Sequence, residues 1–141
     1  MFKENTTRAI ALGIVIKDNK ILVEKGHDKV KNIDFYRCLG GGIEKDETPI
    51  DAVKREFKEE IDVDIKPHKE LGVINNKFIY NGKQGHEIVH LIKVSIDDDD
   101  YAERYNIVDD LNRVSHSEWI DIEDFKSEKK ILFPSETLKF L

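Results

Sequence analysis

An acidic segment near the middle of the chain constrains its fold and its chemistry more than any other feature. Residues 41–60 read GGIEKDETPIDAVKREFKEE, so a glycine-rich turn is expected to lead into a helix with Glu56, Glu59 and Glu60 around Arg55. At about 100° per residue these three carboxylates share one stripe of the helix, where like charges repel one another. Because one arginine cannot neutralise them all, the stripe predicts a bound divalent cation. Clustered oxygen ligands suit Mg²⁺ or Mn²⁺ better than zinc or copper.

The flanking residues predict where this helix begins and which of its faces is buried. Thr48 is a typical N-cap residue, and Pro49 suits the first helical position. Apolar residues recur next to the acidic stripe at helical spacing, which predicts a buried face. They are Ile50, Val53, Phe57 and Ile61. A solvated charged face is the usual explanation of a glutamate-rich helix, but the glycines, the cap and the fixed acidic spacing together favour a metal site.

The spacing of these residues resembles the Nudix hydrolase motif, G-x5-E-x7-R-E-U-x-E-E-x-G-U, in which U is a bulky aliphatic residue. The positions that match in register are Gly41, Glu47, Arg55, Glu56, Phe57, Glu59, Glu60 and Val63. Asp62 replaces the last glycine of the motif, which would end the helix in a left-handed conformation. Aspartate adopts that conformation more readily than most residues, at a cost of about 1 kcal/mol. This difference from the motif therefore affects how the helix ends and not the carboxylates that are expected to bind metal.

The resemblance implies one Nudix hydrolase domain of the α/β class over residues 1–141. The expected Nudix fold is an α/β/α sandwich with a mixed β-sheet, in which the Nudix box forms a loop–helix–loop. Other segments agree with this expectation. Ala9–Ile16 is apolar on both faces, as a central strand would be, and Leu71–Tyr80 and Glu87–Ile96 are typical of paired strands. Ser135–Leu141 is predicted to be a C-terminal helix capped by its first residue.

The resemblance also implies a reaction, the hydrolysis of a pyrophosphate bond in a nucleoside diphosphate linked to another moiety, with water attacking phosphorus. Nucleoside triphosphates, ADP-ribose and dinucleoside polyphosphates all contain such a bond. The implied cofactor is Mg²⁺, with Mn²⁺ as a substitute. The alternative is a catalytically silent Nudix domain that binds a nucleotide as a sensor, which would be expected to lose box carboxylates that this chain retains.

The family motif assigns metal-binding roles to the residues of the box. By resemblance, Glu56 and Glu60 are the expected direct metal ligands, with Glu59 close behind them. Glu47 lies before the helix and is expected to reach either a metal ion or the arginine of the box. The carbonyl of Gly41 is expected, also by resemblance, to contribute a backbone ligand.

Catalytic roles are predicted at four positions. Arg55 is expected to hold the box carboxylates by bidentate pairing. The general base is expected at Glu59 or Glu60 inside the box, or at Glu87 outside it. Glu87 opens an otherwise apolar segment, where ordinary solvation of a strand end is the other explanation.

Four further residues are candidates for stacking on a nucleobase or holding a phosphate, although core or surface positions explain each of them as well. They are Tyr36, Arg37, Phe78 and Tyr80.

Composition and charge narrow the partners and the compartment. The net charge of −6 argues against broad nucleic-acid binding, which needs a basic surface. No apolar run approaches membrane-spanning length, so no membrane partner is expected. A single cysteine, Cys38, excludes an internal disulfide and favours the reducing cytoplasm. The expected partner is a small nucleotide, and the resemblance adds a homodimer as one option for the oligomeric state.

Overall fold

The computed structural model describes residues 4–141, which form a mixed β-sheet with helices on both faces. In chain order the elements are β1 (Thr7–Ile14), β2 (Ile16–Lys17), β3 (Lys20–Asp28), β4 (Ile33–Gly42), α1 (Pro49–Ile61), β5 (Lys66–Tyr80), β6 (Lys83–Ser95), a 3₁₀ turn (Asp98–Asp100), β7 (Asn106–Val108), β8 (Val114–Asp121), α2 (Ile122–Lys126) and a 3₁₀ helix (Ser135–Phe140). The strand order is β5-β6-β1-β4-β3-β8-β7, and β2 pairs with β3. Within residues 4–141, no helix has the length and apolar character needed to cross a membrane.

Strand β1 is central and buried on both faces, as its apolar sequence predicts. It pairs in parallel with β6 and antiparallel with β4. Ile10 and Leu12 belong to the core that contains α2, whereas Ala11 belongs to the core that contains α1. Gly13 makes room for α1, because a Cβ at this position would lie 2.6 Å from Cε1 of Phe57. The predicted α/β/α sandwich around a mixed sheet is confirmed.

Helix α1 begins and ends where the sequence indicates. Thr48 Oγ1 accepts a hydrogen bond from the backbone N–H of Asp51 at 3.1 Å, so the predicted N-cap is confirmed. Asp62 caps the other end with φ 57° and ψ 42°, the left-handed conformation expected of the residue that replaces glycine. The buried face differs in one position, because Ile50 is 37% exposed and Ala52 is fully buried instead.

Strands β5 and β6 form the predicted pair, but they are longer than the sequence indicated. They are joined by the two residues Asn81 and Gly82, which have φ values of 51° and 78°. Positive φ at both positions is typical of the tight turns that match the twist of a hairpin. The hairpin therefore extends beyond the predicted strand, with residues 77–80 paired to residues 83–86.

The predicted C-terminal helix is present as a 3₁₀ helix over Ser135–Phe140, but the predicted cap at Ser135 is wrong. Ser135 makes no capping hydrogen bond, and the residue at the cap position is Pro134. The segment is held by packing instead, since the ring of Phe140 lies against Gly72 of β5. Long-range contact of this kind decides the conformation of a short segment that has little helical propensity of its own.

Candidate active site

A cavity lies beside the point where β4 separates from β1. Strand β4 pairs with β1 only through Leu39–Gly42 and with β3 through Ile33–Cys38. The cavity has a volume of about 420 Å³, and residues from α1 and from five strands line it. Its acidic side chains are Glu24, Asp28, Glu56, Glu60, Glu87, Asp109 and Asp110, and its aromatic side chains are Phe35, Phe78, Tyr80 and Phe133. The cavity therefore combines the carboxylates of the box with rings from elsewhere in the chain.

The three glycines that precede the box helix form the end of strand β4, so the predicted glycine turn is wrong. Gly40, Gly41 and Gly42 continue the antiparallel pairing with β1. Gly40 has φ 148°, and a Cβ at this position would lie 2.0 Å from the carbonyl oxygen of Ala11, so only glycine fits. A Cβ on Gly41 would lie 2.6 Å from the carboxylate carbon of Glu56. The carboxylate of Glu56 consequently lies directly against the backbone of β4.

Arg55 is the centre of the hydrogen-bond network of the box. Its Nε and Nη2 donate to the two oxygens of Glu47 at 2.8 and 2.9 Å, and Nη1 donates to Glu56 Oε1 at 2.9 Å and to Glu59 Oε2 at 3.3 Å. Nη2 also donates to the carbonyl of Gly42 at 2.8 Å. The hydrogen bonds from Arg55 lower the pKa of Glu47 to about 2. One guanidinium thus binds three of the four box carboxylates, and it pairs with Glu47 through two hydrogen bonds as the sequence analysis expected.

Glu60 is the box carboxylate that Arg55 does not reach. Its Oε1 is buried and has no hydrogen-bond partner within residues 4–141. Burial, followed by the charges of Glu56 and Glu24, raises the pKa of Glu60 to about 9. A bound cation would offset both the burial of this carboxyl group and the repulsion from the neighbouring carboxylates. Mg²⁺ needs only one or two carboxylate ligands, because it keeps several of its water ligands. The pair formed by Glu56 and Glu60 therefore fits a divalent cation.

The other predicted ligands are arranged differently. In the part of the chain that the structure describes, no three His, Cys, Asp or Glu side chains surround a single ion position. Both oxygens of Glu47 and one oxygen of Glu59 accept hydrogen bonds from Arg55, and the Glu59 side chain is 53% exposed. The structure brings Glu56 and Glu60 together, with Glu56 against Gly41, and it places Glu47 and Glu59 around the arginine, which also binds Glu56.

Glu87 lies inside β6 and is buried, with only 1% of its surface exposed. Its Oε1 accepts a hydrogen bond from Nη2 of Arg37 at 2.8 Å. Both residues line the same cavity as Glu56 and Glu60. The explanation of Glu87 as a solvated strand end is therefore wrong, because β6 begins at Lys83 and the carboxylate is enclosed. Its role in the chemistry stays a prediction.

Sequence reasoning missed Glu24, although it lines the cavity. Glu24 is the register partner of Arg37 in the β3–β4 hairpin and accepts a hydrogen bond from Ser115 Oγ at 3.2 Å. Burial raises the pKa of Glu24. A signal was present, since Glu24 directly follows the apolar run Ile21–Val23 of β3. The register of the hairpin, which the sequence does not fix, decides that it faces the site.

The aromatic group of the cavity is assembled from three parts of the chain. The ring centroid of Phe35 lies 5.8 Å from that of Tyr80 and 5.6 Å from that of Phe133, and Phe78 lies 5.5 Å from Phe133. Phe133 reaches this position because the C-terminal segment runs parallel to β4 and bridges to it at Tyr36. Phe78 and Tyr80 thus line the cavity as candidates for base stacking, whereas Tyr36 itself belongs to the core.

Fold and site together define an α/β domain in which a capped acidic helix faces a cavity beside a glycine strand. The family model described as NUDIX domain matches residues 7–140. The chain therefore belongs to the NUDIX family, and the resemblance predicted from its sequence is confirmed.

Individual proteins resemble the chain in sequence or in structure. An 8-oxo-dGTP diphosphatase from Buchnera aphidicola subsp. Schizaphis graminum is 36% identical over 56 residues, which are 40% of this chain and 43% of that protein. The chain thus matches less than half the length of this relative. A MutT NUDIX hydrolase from Burkholderia pseudomallei has a TM-score of 0.58 at 19% identity, over 84% of this chain and 86% of that one. An ADP-ribose pyrophosphatase from Streptococcus suis has a TM-score of 0.54 at 15% identity, over 96% and 89%. The two structural likenesses concern the fold.

Proposed function

We propose that the chain is a Mg²⁺-dependent Nudix pyrophosphohydrolase, which hydrolyses the pyrophosphate bond of a nucleoside diphosphate linked to another moiety. The observation that carries the proposal is the pair of Glu56, which lies against Gly41, and Glu60, whose buried Oε1 has no partner within residues 4–141. Two clustered carboxyl groups in a cavity call for a hard cation. Such a cation suits a pyrophosphate substrate, because it neutralises the negative charge on the pyrophosphate oxygens.

The residues of the box have distinct roles in this proposal. Glu56, Glu60 and the carbonyl of Gly41 would hold Mg²⁺, and Mn²⁺ would replace it. When bound, the ion supplies charge neutralisation at the phosphate oxygens and lowers the pKa of a bound water. Arg55 binds both Glu56 and the carbonyl of Gly42, at 2.9 and 2.8 Å, so it fixes α1 relative to the end of β4. This rigid link keeps the carboxylates in place for the reaction.

A carboxylate must also take the proton of the attacking water, and three candidates differ in their surroundings. Glu59 is the most exposed, and its contact with Arg55 is the longest of that network's hydrogen bonds at 3.3 Å, so it can rotate toward water at little cost. Glu60 holds its own proton at neutral pH unless a cation is present, because its pKa is raised to about 9. Glu87 is enclosed and bound to Arg37. Their glutamine variants would separate these candidates.

The aromatic group supports a nucleotide as the substrate. Rings such as those of Phe35, Phe78, Tyr80 and Phe133 offer apolar faces on which a nucleobase can stack. Two similar proteins are named for 8-oxo-dGTP and for ADP-ribose, both of which link a nucleoside to a pyrophosphate group. We infer from this chemistry that the substrate is a nucleotide that contains a pyrophosphate bond.

The test is incubation of the purified protein with Mg²⁺ and a panel of nucleoside triphosphates, 8-oxo-dGTP, ADP-ribose and dinucleoside polyphosphates. Anion-exchange chromatography would resolve the products. We expect turnover of at least one compound, loss of that turnover in EDTA, and a reduction of roughly 10²- to 10⁴-fold in Glu56→Gln. Nucleotide binding without turnover of any compound would contradict the proposal and support the silent sensor instead.

The proposal extends to the organisation of the chain. It takes residues 1–141 as one Nudix domain, and it takes the cytoplasm as the compartment because the single thiol, Cys38, is buried and unpaired. A homodimer is an option that analytical ultracentrifugation of the purified chain would decide.

A further inference from the structure

Five cationic side chains line the cavity, and four of them already have partners. The engaged contacts are Arg37 with Glu87, Arg113 with Asp109, Lys25 with Asp34, and Lys31 with the carbonyl of Ile79. The fifth is Arg8, which makes no ion pair or hydrogen bond with any residue in the range 4–141. One cation of the cavity is therefore available to a ligand.

Arg8 lies in β1 next to the end of β4, and it is partly buried. Its guanidinium covers Gly42, because a Cβ at Gly42 would lie 2.9 Å from Nη2 and 3.3 Å from Nε. Its register partner on the parallel strand β6 is Glu87, but that carboxylate accepts its hydrogen bond from Arg37. The carboxylate of Glu87, which lies opposite Arg8 in the strand pairing, is thus already bound to another residue.

The last two glycines of β4 contact a carboxylate and a cation on opposite faces of the strand. Gly41 contacts the carboxylate of Glu56, and Gly42 contacts the guanidinium of Arg8. Successive residues of a strand point to opposite faces, so Glu56 and Arg8 approach the end of β4 from opposite sides, and the side chains of both line the same cavity. A ligand that fills this cavity would therefore meet an ion held by Glu56 and Glu60 and also the guanidinium of Arg8.

We propose that Arg8 is a substrate-binding residue that donates its forked N–H groups to a phosphate of the pyrophosphate moiety. This inference rests on the proposed function and assigns one contact within the same site. A guanidinium matches the geometry of phosphate oxygens by two parallel hydrogen bonds. Partial burial favours such a contact further, because the charge of Arg8 is shielded from water and has no protein anion to pair with in residues 4–141.

Equilibrium binding of a non-hydrolysable analogue tests the assignment. Isothermal titration calorimetry would measure the affinity for imidodiphosphate in the presence of Mg²⁺, for the wild type and for Arg8→Gln and Arg8→Lys. Arg104→Gln is the matched control, since Arg104 is exposed, lies outside the cavity and loses the same charge. Thermal melting would confirm that each variant is folded.

We expect Arg8→Gln to weaken the binding of imidodiphosphate by roughly ten- to a hundredfold, whereas Arg104→Gln leaves it unchanged. Arg8→Lys should fall between them, because a point charge replaces the fork. Equal affinity of Arg8→Gln and the wild type would overturn the proposal, and so would a wild type that does not bind imidodiphosphate. If Arg8→Gln does not fold, Arg8→Lys decides, and an unchanged affinity would then overturn it.

The nucleotide panel separates failure of this inference from failure of the proposed function. If imidodiphosphate binding depends on Arg8 but no nucleotide is hydrolysed, the proposed hydrolase function is refuted and the phosphate contact of Arg8 is supported. If turnover depends on Glu56 but imidodiphosphate binding does not depend on Arg8, the hydrolase function is supported and the phosphate contact of Arg8 is refuted.

Discussion

Replacing Glu60 with glutamine should stabilise the metal-free protein at neutral pH. Burial and the neighbouring charges of Glu56 and Glu24 raise the pKa of Glu60 from 4.5 to about 9. Between these two values the folded protein binds a proton that the unfolded chain has released. The contribution of Glu60 to stability is therefore fully present below pH 4.5 and is lost as the pH rises toward 9. Glutamine keeps the shape of the side chain and does not titrate.

The expected difference in the free energy of unfolding follows from the difference between the unfolded and folded pKa values of Glu60. Each pH unit above the unfolded pKa costs about 1.4 kcal/mol until the folded pKa is reached. At pH 7 the cost would be on the order of 3 kcal/mol if the side chains stayed fixed, and relaxation of Glu60 toward water reduces it. We expect Glu60→Gln to exceed the wild type by about 1 to 3 kcal/mol in the free energy of unfolding at pH 7, with no difference near pH 4.5.

Urea denaturation in EDTA, followed by circular dichroism at several pH values between 4.5 and 9, measures this difference. The wild type should lose stability relative to Glu60→Gln as the pH rises, and added Mg²⁺ should restore the wild type more than the variant. Asp51→Asn, at an exposed position of the same helix, is the control for removing one negative charge. Parallel pH profiles for the wild type and Glu60→Gln would refute the reasoning, since Glu60 would then titrate as an ordinary solvated carboxyl group.

Three further predictions concern the other members of the site. Glu56→Gln should lower kcat by roughly 10²- to 10⁴-fold in steady-state assays while its melting temperature in EDTA stays at or above that of the wild type; full turnover in this variant would contradict its role as a ligand. Arg55→Ala should lower both the melting temperature and kcat, and Arg55→Lys should restore charge without the two bonds to Glu47, so full activity in Arg55→Lys would show that the fork is unnecessary. Glu87→Gln should reduce kcat by roughly 10²-fold if Glu87 acts as the base, and an unchanged kcat at saturating Mg²⁺ would return that role to the box.

The parts of the fold that the sequence predicts well are those that short-range interactions decide. The cap at Thr48, the proline after it and the left-handed Asp62 are local features, so the bounds of α1 could be inferred from neighbouring residues. The glycines Gly40–Gly42 were misassigned for the converse reason. Their conformation depends on pairing with β1, some thirty residues earlier in the chain, and a glycine run alone is equally typical of a turn.

The same distinction holds for the site. Glu56 and Glu60 are four residues apart on one helix, so their proximity follows from helical geometry alone. The contact between Arg37 and Glu87 joins residues 50 positions apart, and it exists because β4 leaves β1 at this point of the sheet. The role proposed for Arg8 likewise depends on contacts between distant residues, because the other cationic side chains of the cavity and the carboxylate of Glu87 have partners of their own. Such contacts depend on strand register, which one sequence without its fold does not determine.

Direct measurement of Mn²⁺ binding tests the central claim without depending on the identity of the substrate. Electron paramagnetic resonance reports free Mn²⁺, so a titration gives both the number of bound ions and their affinity. We expect the wild type to bind at least one Mn²⁺, with Mg²⁺ competing for it, and we expect Glu56→Gln and Glu60→Gln each to weaken that binding roughly tenfold or more. Equal Mn²⁺ binding by the wild type and both variants would contradict the assignment of this pair as the metal site.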